Sequence, residues 1–207
     1  MDYGEAKSIF YFNEEGKHNL LKTVDLVIER AKELQIKDII VFTAEGEGAI
    51  KVKEMLDNSQ SIKVHAATFP YKQVFYIKDG EGLKKEYAGT SRPEKKEELL
   101  SRGINLIQGV MPLQDIIMPN AKDIKINSIN QTLSLISGGL NFCVQAILMA
   151  VDGGHIEPNE TVIAMSADTA IVAQSSVSTW LFHPTEGFQI LEIICKPKNL
   201  TITRKKK

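Results

Sequence analysis

Between residues 8 and 68 the chain alternates between two hydrophobic periods, and that alternation limits the folds open to it. Ser8–Phe12 is a short apolar run of strand type. Residues 19–35 then place Leu20, Leu21, Val24, Val27, Ile28, Ala31 and Leu34 at helical spacing, with Lys22, Asp25, Glu29, Arg30 and Lys32 mostly elsewhere. This is an amphipathic helix with one buried stripe. Residues 37–43 are mostly apolar and rich in β-branched Ile and Val, the pattern of a strand buried on both faces. A helix is expected over 48–57 and a further strand over 62–68. The order βαβαβ predicts a parallel sheet with crossover helices.

The middle of the chain is less regular. Residues 71–92 carry a Lys-Asp-Gly-Glu-Gly turn between mixed flanks and read as a hairpin or an excursion. Pro93 should open a helix that stops at Gly103, followed by a strand over 104–110. Residues 111–127 hold two prolines and no steady period, which predicts a loop. One long helix is expected over 128–151, with Gly138-Gly139 as its weak or close-packed point. Strands are expected over 161–165, 169–173 and 188–196. No repeat or linker is evident, so residues 1–207 read as a single three-layer α/β/α domain with a mostly parallel sheet, a C-terminal β meander and a basic tail at 199–207.

Composition matters here for what it excludes. A net charge of −1 gives no global attraction to nucleic acid or an anionic membrane. The longest apolar stretch, near 140–151, is interrupted by Asn141 and Gln145 and is too short for a span. The two cysteines, Cys143 and Cys195, lie far apart in apolar surroundings, which suits a reducing cytoplasm. Neither His18, His65, His155 nor His183 has metal-ligand spacing to another, and no nucleophile–base pair stands out.

The chemistry concentrates at strand-to-helix turns. Thr43-Ala44-Glu45-Gly46-Glu47-Gly48 joins a strand to a helix, as phosphate-binding loops do, because a helix N-terminus offers unpaired N–H groups and the positive end of its dipole. Its spacing matches neither GxxxxGK[ST] nor GxGxxG. A carboxylate about 5 Å from a phosphate charge is opposed by roughly 3 kcal/mol at an effective dielectric of 20. Beside a phosphate, Glu45 and Glu47 would have to point away, be protonated, or share a cation such as Mg²⁺; otherwise an acidic residue in the first turn simply stabilises the helix. Lys17 and Asn19 lie in a second such turn, where Asn19 suits an N-cap and Lys17 could neutralise an anion. His65 would sit at a strand end. Ser166, Asp168 and Thr169 form a turn between two apolar β segments.

Two blocks carry a resemblance. Cys143–Ala170 contains a helix, then Asp152-x-Gly154-x-Ile156-x-Pro158, Glu160-x-Val162-Ile163-Ala164 and Ala167-Asp168-Thr169-Ala170. The opening has Tyr11-Phe12 followed by Gly16-Lys17-x-Asn19. The chain resembles, from about Ser8 to Lys198, the stand-alone and largely archaeal proteins similar to the pyruvate kinase C-terminal (alpha/beta) domain. That resemblance implies a phosphorylated small-molecule ligand, with flavin mononucleotide (FMN) a candidate, bound at strand ends by Lys17, Asn19, Thr43, Gly46, Glu47, Gly48, His65, Ser166, Asp168 and Thr169. In pyruvate kinases the corresponding domain is regulatory. The active site lies in a barrel of about 250 residues, so pyruvate kinase activity itself is not expected. The family's glycine-turn threonine is replaced by Gly48, its His-His-Ala-Gly-Phe by His65-Ala66-Ala67-Thr68-Phe69, and its Thr-His-Ala-x-Ser-Gly by Val110–Asp115. The glycines before Ala-Asp-Thr-Ala are also missing. These departures leave a second reading open, a divergent, non-catalytic interaction or scaffold protein that has lost the ligand pocket and forms a homo-oligomer through residues 71–92.

Overall fold

The structure is a computed structural model that describes residues 4–56, 61–79, 82–115 and 123–204. It contains a seven-stranded sheet and a separate two-stranded hairpin. In chain order the elements are β1 (Phe10–Glu14), α1 (Leu20–Glu33), β2 (Asp38–Phe42), α2 (Glu47–Met55), β3 (Lys63–Thr68), β4 (Val74–Asp79), β5 (Gly82–Tyr87), α3 (Pro93–Ser101), β6 (Asn105–Gln108), α4 (Ile124–Leu133), α5 (Gly138–Asp152), β7 (Thr161–Met165), β8 (Ala170–Gln174) and β9 (Gln189–Asn199).

The sheet order is β1-β9-β8-β7-β2-β3-β6. Pairs β1/β9, β7/β2, β2/β3 and β3/β6 are parallel, while β7/β8 and β8/β9 are antiparallel. The expected mostly parallel sheet with a C-terminal meander is therefore present. Side-chain alternation on β2 shows why it must be central. Ile39 and Val41 enter one core with Val24, Val27 and Ile28 of α1, Val52 of α2 and Leu99 of α3. Ile40 and Phe42 enter the opposite core with Leu140, Cys143, Ile147 and Leu148 of α5. A strand flanked by helices on both faces must be apolar throughout.

Two expectations are revised and one, the hairpin, is present. The long helix over 128–151 is two helices, α4 and α5, bent by 118°. The break comes from capping: Ser137 is extended (φ −168°) and its hydroxyl accepts the Leu140 N–H at 3.0 Å, which starts a new helix. The loop expected over 111–127 gives way to α4 at Ile124, where Asp123 accepts the N–H groups of Lys125 and Ile126 at 2.8 and 3.1 Å. Residues 116–122 lie outside the described residues. The excursion at 71–92 is the β4–β5 hairpin, with Phe75 packed edge-on against Phe69 at 4.8 Å. Residues 80–81 of its expected turn, Asp57 of the expected second helix and Lys205–Lys207 of the basic tail also fall outside the described residues. Among the described residues no single helix is long and apolar enough to cross a membrane.

Candidate functional site

The parallel strands deliver their C-terminal ends to one edge of the sheet. Val41 pairs with Met165, so the turn after β2 and the turn after β7 emerge side by side. The β1–α1 turn belongs to the far edge strand, yet it leans over the same place. Two hydrogen bonds hold it there: Gly16 N–H to Asp168 Oδ2 at 2.7 Å, and Thr23 Oγ1 to the Ala167 carbonyl at 3.0 Å. Between the three turns lies a cavity of about 250 Å³, bounded by Lys17, Leu20, Phe42, Thr43, Glu45, Glu47, Gly48 and Ser166, among others.

The glycine turn is built for a fixed backbone path. Gly46 is the N-cap of α2 at φ 80°, a left-handed conformation that favours glycine. Its N–H donates to Thr43 Oγ1 at 2.9 Å. Among the described residues no N-cap side chain bonds the first turn of α2, as in α1 and α3, whereas α4 and α5 are capped by Asp123 and Ser137. Gly48 has a packing role: a Cβ there would stand 3.0 Å from Val41 Cγ1 and 3.5 Å from Leu20 Cδ1.

The two turn carboxylates diverge. Glu45 accepts the Gly89 N–H at 3.0 Å, and Thr90 N–H binds the Ala44 carbonyl at 3.0 Å. Glu45 thus fastens the turn to the segment before α3 rather than capping α2. Glu47 reaches across the cavity mouth and forms an ion pair with Lys17. Both partners are well exposed, 69% for Lys17 and 45% for Glu47. Among the described residues no group of three or more His, Cys, Asp or Glu side chains could hold a metal ion.

Lys17, Thr43, Glu47, Gly48 and Ser166 of the expected site line the cavity, and Gly46 supports it as the cap. The others act behind it or elsewhere. Asn19 does not cap α1: it is in helical conformation (φ −83°, ψ −10°), and its Nδ2 donates to the Glu14 carbonyl at 2.8 Å, tying β1 to α1. Asp168 is buried and already holds Gly16 and the Thr169 hydroxyl (3.1 Å). Burial pushes its carboxyl above the usual Asp value, against the hydrogen bonds from Gly16 and Thr169. Thr169 Oγ1 also meets Ser137 Oγ at 2.9 Å, linking the turn to α5. His65 is the clear correction. It lies near the start of β3, paired with Ile40 and Asn105, toward the opposite edge of the sheet. There its Nε2 contacts Asp38 Oδ1 at 2.9 Å and its ring lies 6.2 Å from that of His155. A strand of six residues carries its third side chain away from the C-terminal edge that Thr68 reaches.

Two residues gain importance that sequence reading did not assign. A Cβ at Gly89 would meet only the Glu45 carboxylate, the end of an exposed side chain, so glycine there leaves room for Glu45 to reach the Gly89 N–H. Glu15 is 7% exposed and accepts hydrogen bonds from the turn after β9. Burial would raise its carboxyl, but hydrogen bonds from Thr203, Ile202 and Gly138 hold it below the usual Glu value. Larger depressions of about 410 and 440 Å³ lie at the other end of the sheet. Glu192 borders both and is paired with Arg30, which borders the first, at 2.6 Å.

With this geometry in place, comparison with known proteins is informative. Solved structures similar to the chain include Cryptosporidium parvum pyruvate kinase, at 16% identity over 75% of this chain and 22% of that one, with a TM-score of 0.37. The Cryptosporidium parvum pyruvate kinase in complex with ADP is similar at 16% identity over 86% of this chain and 24% of that one, with a TM-score of 0.35. The chain thus spans less than a quarter of either pyruvate kinase. The sequence profile of the family described as pyruvate kinase, alpha/beta domain, matches residues 22–176, from α1 to the end of β8. The chain belongs to the pyruvate kinase alpha/beta domain family.

Proposed function

We propose that the protein binds a phosphorylated small molecule at the strand-end cavity, with FMN the first ligand to test. The observation that carries this reading is the uncapped N-terminus of α2, whose turn borders the cavity with Lys17 beside it. A phosphate there meets backbone amides, the helix dipole and an ammonium group. Thr43 Oγ1 accepts from Gly46, which leaves its proton to donate to the ligand. The cavity, about 250 Å³, is smaller than the roughly 300–1,000 Å³ that encloses drug-sized ligands. It suits the phosphate and its immediate substituent, with a flavin ring lying over the rim. Glu47 competes with phosphate for Lys17, so binding requires that ion pair to open.

Titration calorimetry with FMN, a nucleoside monophosphate, a sugar phosphate and inorganic phosphate tests the proposal. Saturation at 100 times Kd should stabilise the fold by about 2.7 kcal/mol. That corresponds to a rise in Tm of roughly 5–11 °C for a chain of this size. No heat and no thermal shift with any of the four would remove the reading.

A second reading, a homo-oligomeric interaction protein, is favoured by the hairpin. Tyr76 (68%), Leu83 (72%) and Tyr87 (44%) are exposed on it, and an isolated two-stranded hairpin is marginal in water. Light scattering on a Tyr76→Ser, Leu83→Ser variant decides it: an unchanged mass excludes an interface there. The free, buried Cys143 and Cys195 support a reducing cytoplasmic location. The likeness to stand-alone, largely archaeal members rests on the Gly16-Lys17-x-Asn19 and Ala167–Ala170 segments.

A further inference from the structure

Residues 200–204, the turn after β9, cross the N-terminus of α5 with little apolar burial. Thr201, Ile202 and Arg204 are exposed, Ile202 at 62%, and Leu200 is only half-buried. Among the described residues, the hydrogen bonds tying this turn to the rest of the chain end on one carboxylate. Glu15 accepts the N–H groups of Ile202 at 2.5 Å and Thr203 at 2.9 Å, and the hydroxyl of Thr203. The N–H of Gly138, first residue of α5, binds the same carboxylate. The Thr203 side chain occupies the space in front of Gly138, where a Cβ would collide with Thr203 Oγ1 and stand 3.5 Å from Thr203 Cβ.

We propose that residues 200–204 form a releasable strap over α5, latched by Glu15, and that its release loosens the Glu15–Lys17 arm beside the cavity. A segment held by burial opens only when the core does. One held by hydrogen bonds to a single side chain opens alone when that side chain lets go. The coupling follows from the covalent chain. Glu15 is joined to Gly16, whose N–H is held by Asp168, and then to Lys17. The strap and the arm therefore share an anchor. Any effect on ligand affinity rests on the phosphate-binding reading; the strap itself does not.

Amide hydrogen exchange by NMR on the full chain tests both parts without a ligand. Gly138→Ala blocks the seat of Thr203 and leaves a residue well suited to a helix. It should speed exchange of the Ile202 and Thr203 amides at least tenfold, with Ile147 and Leu148 of α5 unchanged. Glu15→Gln should act in the same direction, and Thr203→Val more weakly. Faster exchange at Gly16 in the same variants supports the coupling. Exchange at Ile202 and Thr203 within twofold of wild type in Gly138→Ala and Glu15→Gln would overturn the strap. So would equal acceleration of Ile147 and Leu148, which would make Glu15 a staple of the whole fold. A released strap with Gly16 unchanged would overturn the coupling alone.

Discussion

Replacing Gly139 with alanine puts a methyl group between α5 and the turn after β7. Its Cβ would collide with Ser166 Oγ and Thr169 Oγ1 and stand 2.7 Å from Thr169 Cβ. Neither neighbour retreats easily. Thr169 is fully buried and bonded to Ser137 at 2.9 Å and Asp168 at 3.1 Å, and Ser166 is 8% exposed. Overpacking of this kind costs typically about 1–3 kcal/mol. Alanine recovers up to about 1 kcal/mol of helix propensity, less in a first turn. The net loss should be about 1–2 kcal/mol, a fall in Tm of about 2–8 °C for a domain of this length. Thermal and urea unfolding followed by circular dichroism would measure it. A Gly139→Ala protein that melts at or above the wild-type temperature would show that close approach of α5 to this turn is not what requires glycine.

Four further outcomes are expected. Lys17→Met should leave stability within about 1 kcal/mol, because its ion pair is solvent-exposed, while calorimetry shows phosphate-ligand affinity falling at least tenfold; unchanged affinity would exclude Lys17 from the site. Glu47→Gln should strengthen binding of the same ligand, since a carboxylate about 5 Å from a phosphate opposes it by up to roughly 3 kcal/mol before solvent screening; weaker binding would show that Glu47 contacts the ligand. Gly89→Ala should cost about 0.5–1.5 kcal/mol, the hydrogen bond lost when the exposed Glu45 side chain swings off the Gly89 N–H, read as a small fall in the urea midpoint; a loss above about 3 kcal/mol would show that the backbone, not Glu45, has to move. The last concerns pH. Glu15 has a folded pKa below its unfolded one, so its stabilisation is present above the unfolded value and is lost as pH falls through the folded one. Asp168 has the opposite sign: its folded pKa is raised, so the folded state binds the proton more tightly and stability drains as pH rises from the unfolded value through the folded one. Melting curves across the acid range should therefore show Asp168→Asn gaining on wild type as pH rises and Glu15→Gln losing; parallel curves would contradict both assignments.

The sequence disclosed those parts of the molecule whose physics is local. The β-branched run at β2 and the apolar stripe of α1 declare themselves through periodicity, and both cores use them as expected. The break between α4 and α5 is hidden because apolar residues continue through it, while its cause is a serine hydroxyl that also engages Thr169, 32 positions away. Asn19 obeys composition but not geometry, since the Glu14 carbonyl claims its side chain. The expectation that His65 sits at a strand end yields to strand direction: it is the third residue of β3, and Thr68 reaches the site's edge instead. Glu15 is an ordinary turn residue by every local rule. Its partners lie 187 and 188 positions away, and no spacing within one sequence reveals such a pairing.

The sheet order also bears on how the chain assembles as it is made. β1 is an edge strand whose neighbour is β9, which emerges after every other described strand of the sheet. At roughly 5–20 residues per second, about 9–35 seconds of synthesis separates the two. During that interval the buried side of Phe12 has no sheet to join, and α1 has β2 but not Ile194 or Cys195 to cover. A nascent chain must therefore hold an aromatic strand in waiting until its closing partner arrives. Ribosome-bound intermediates stalled before β9 should be the species most dependent on chaperones.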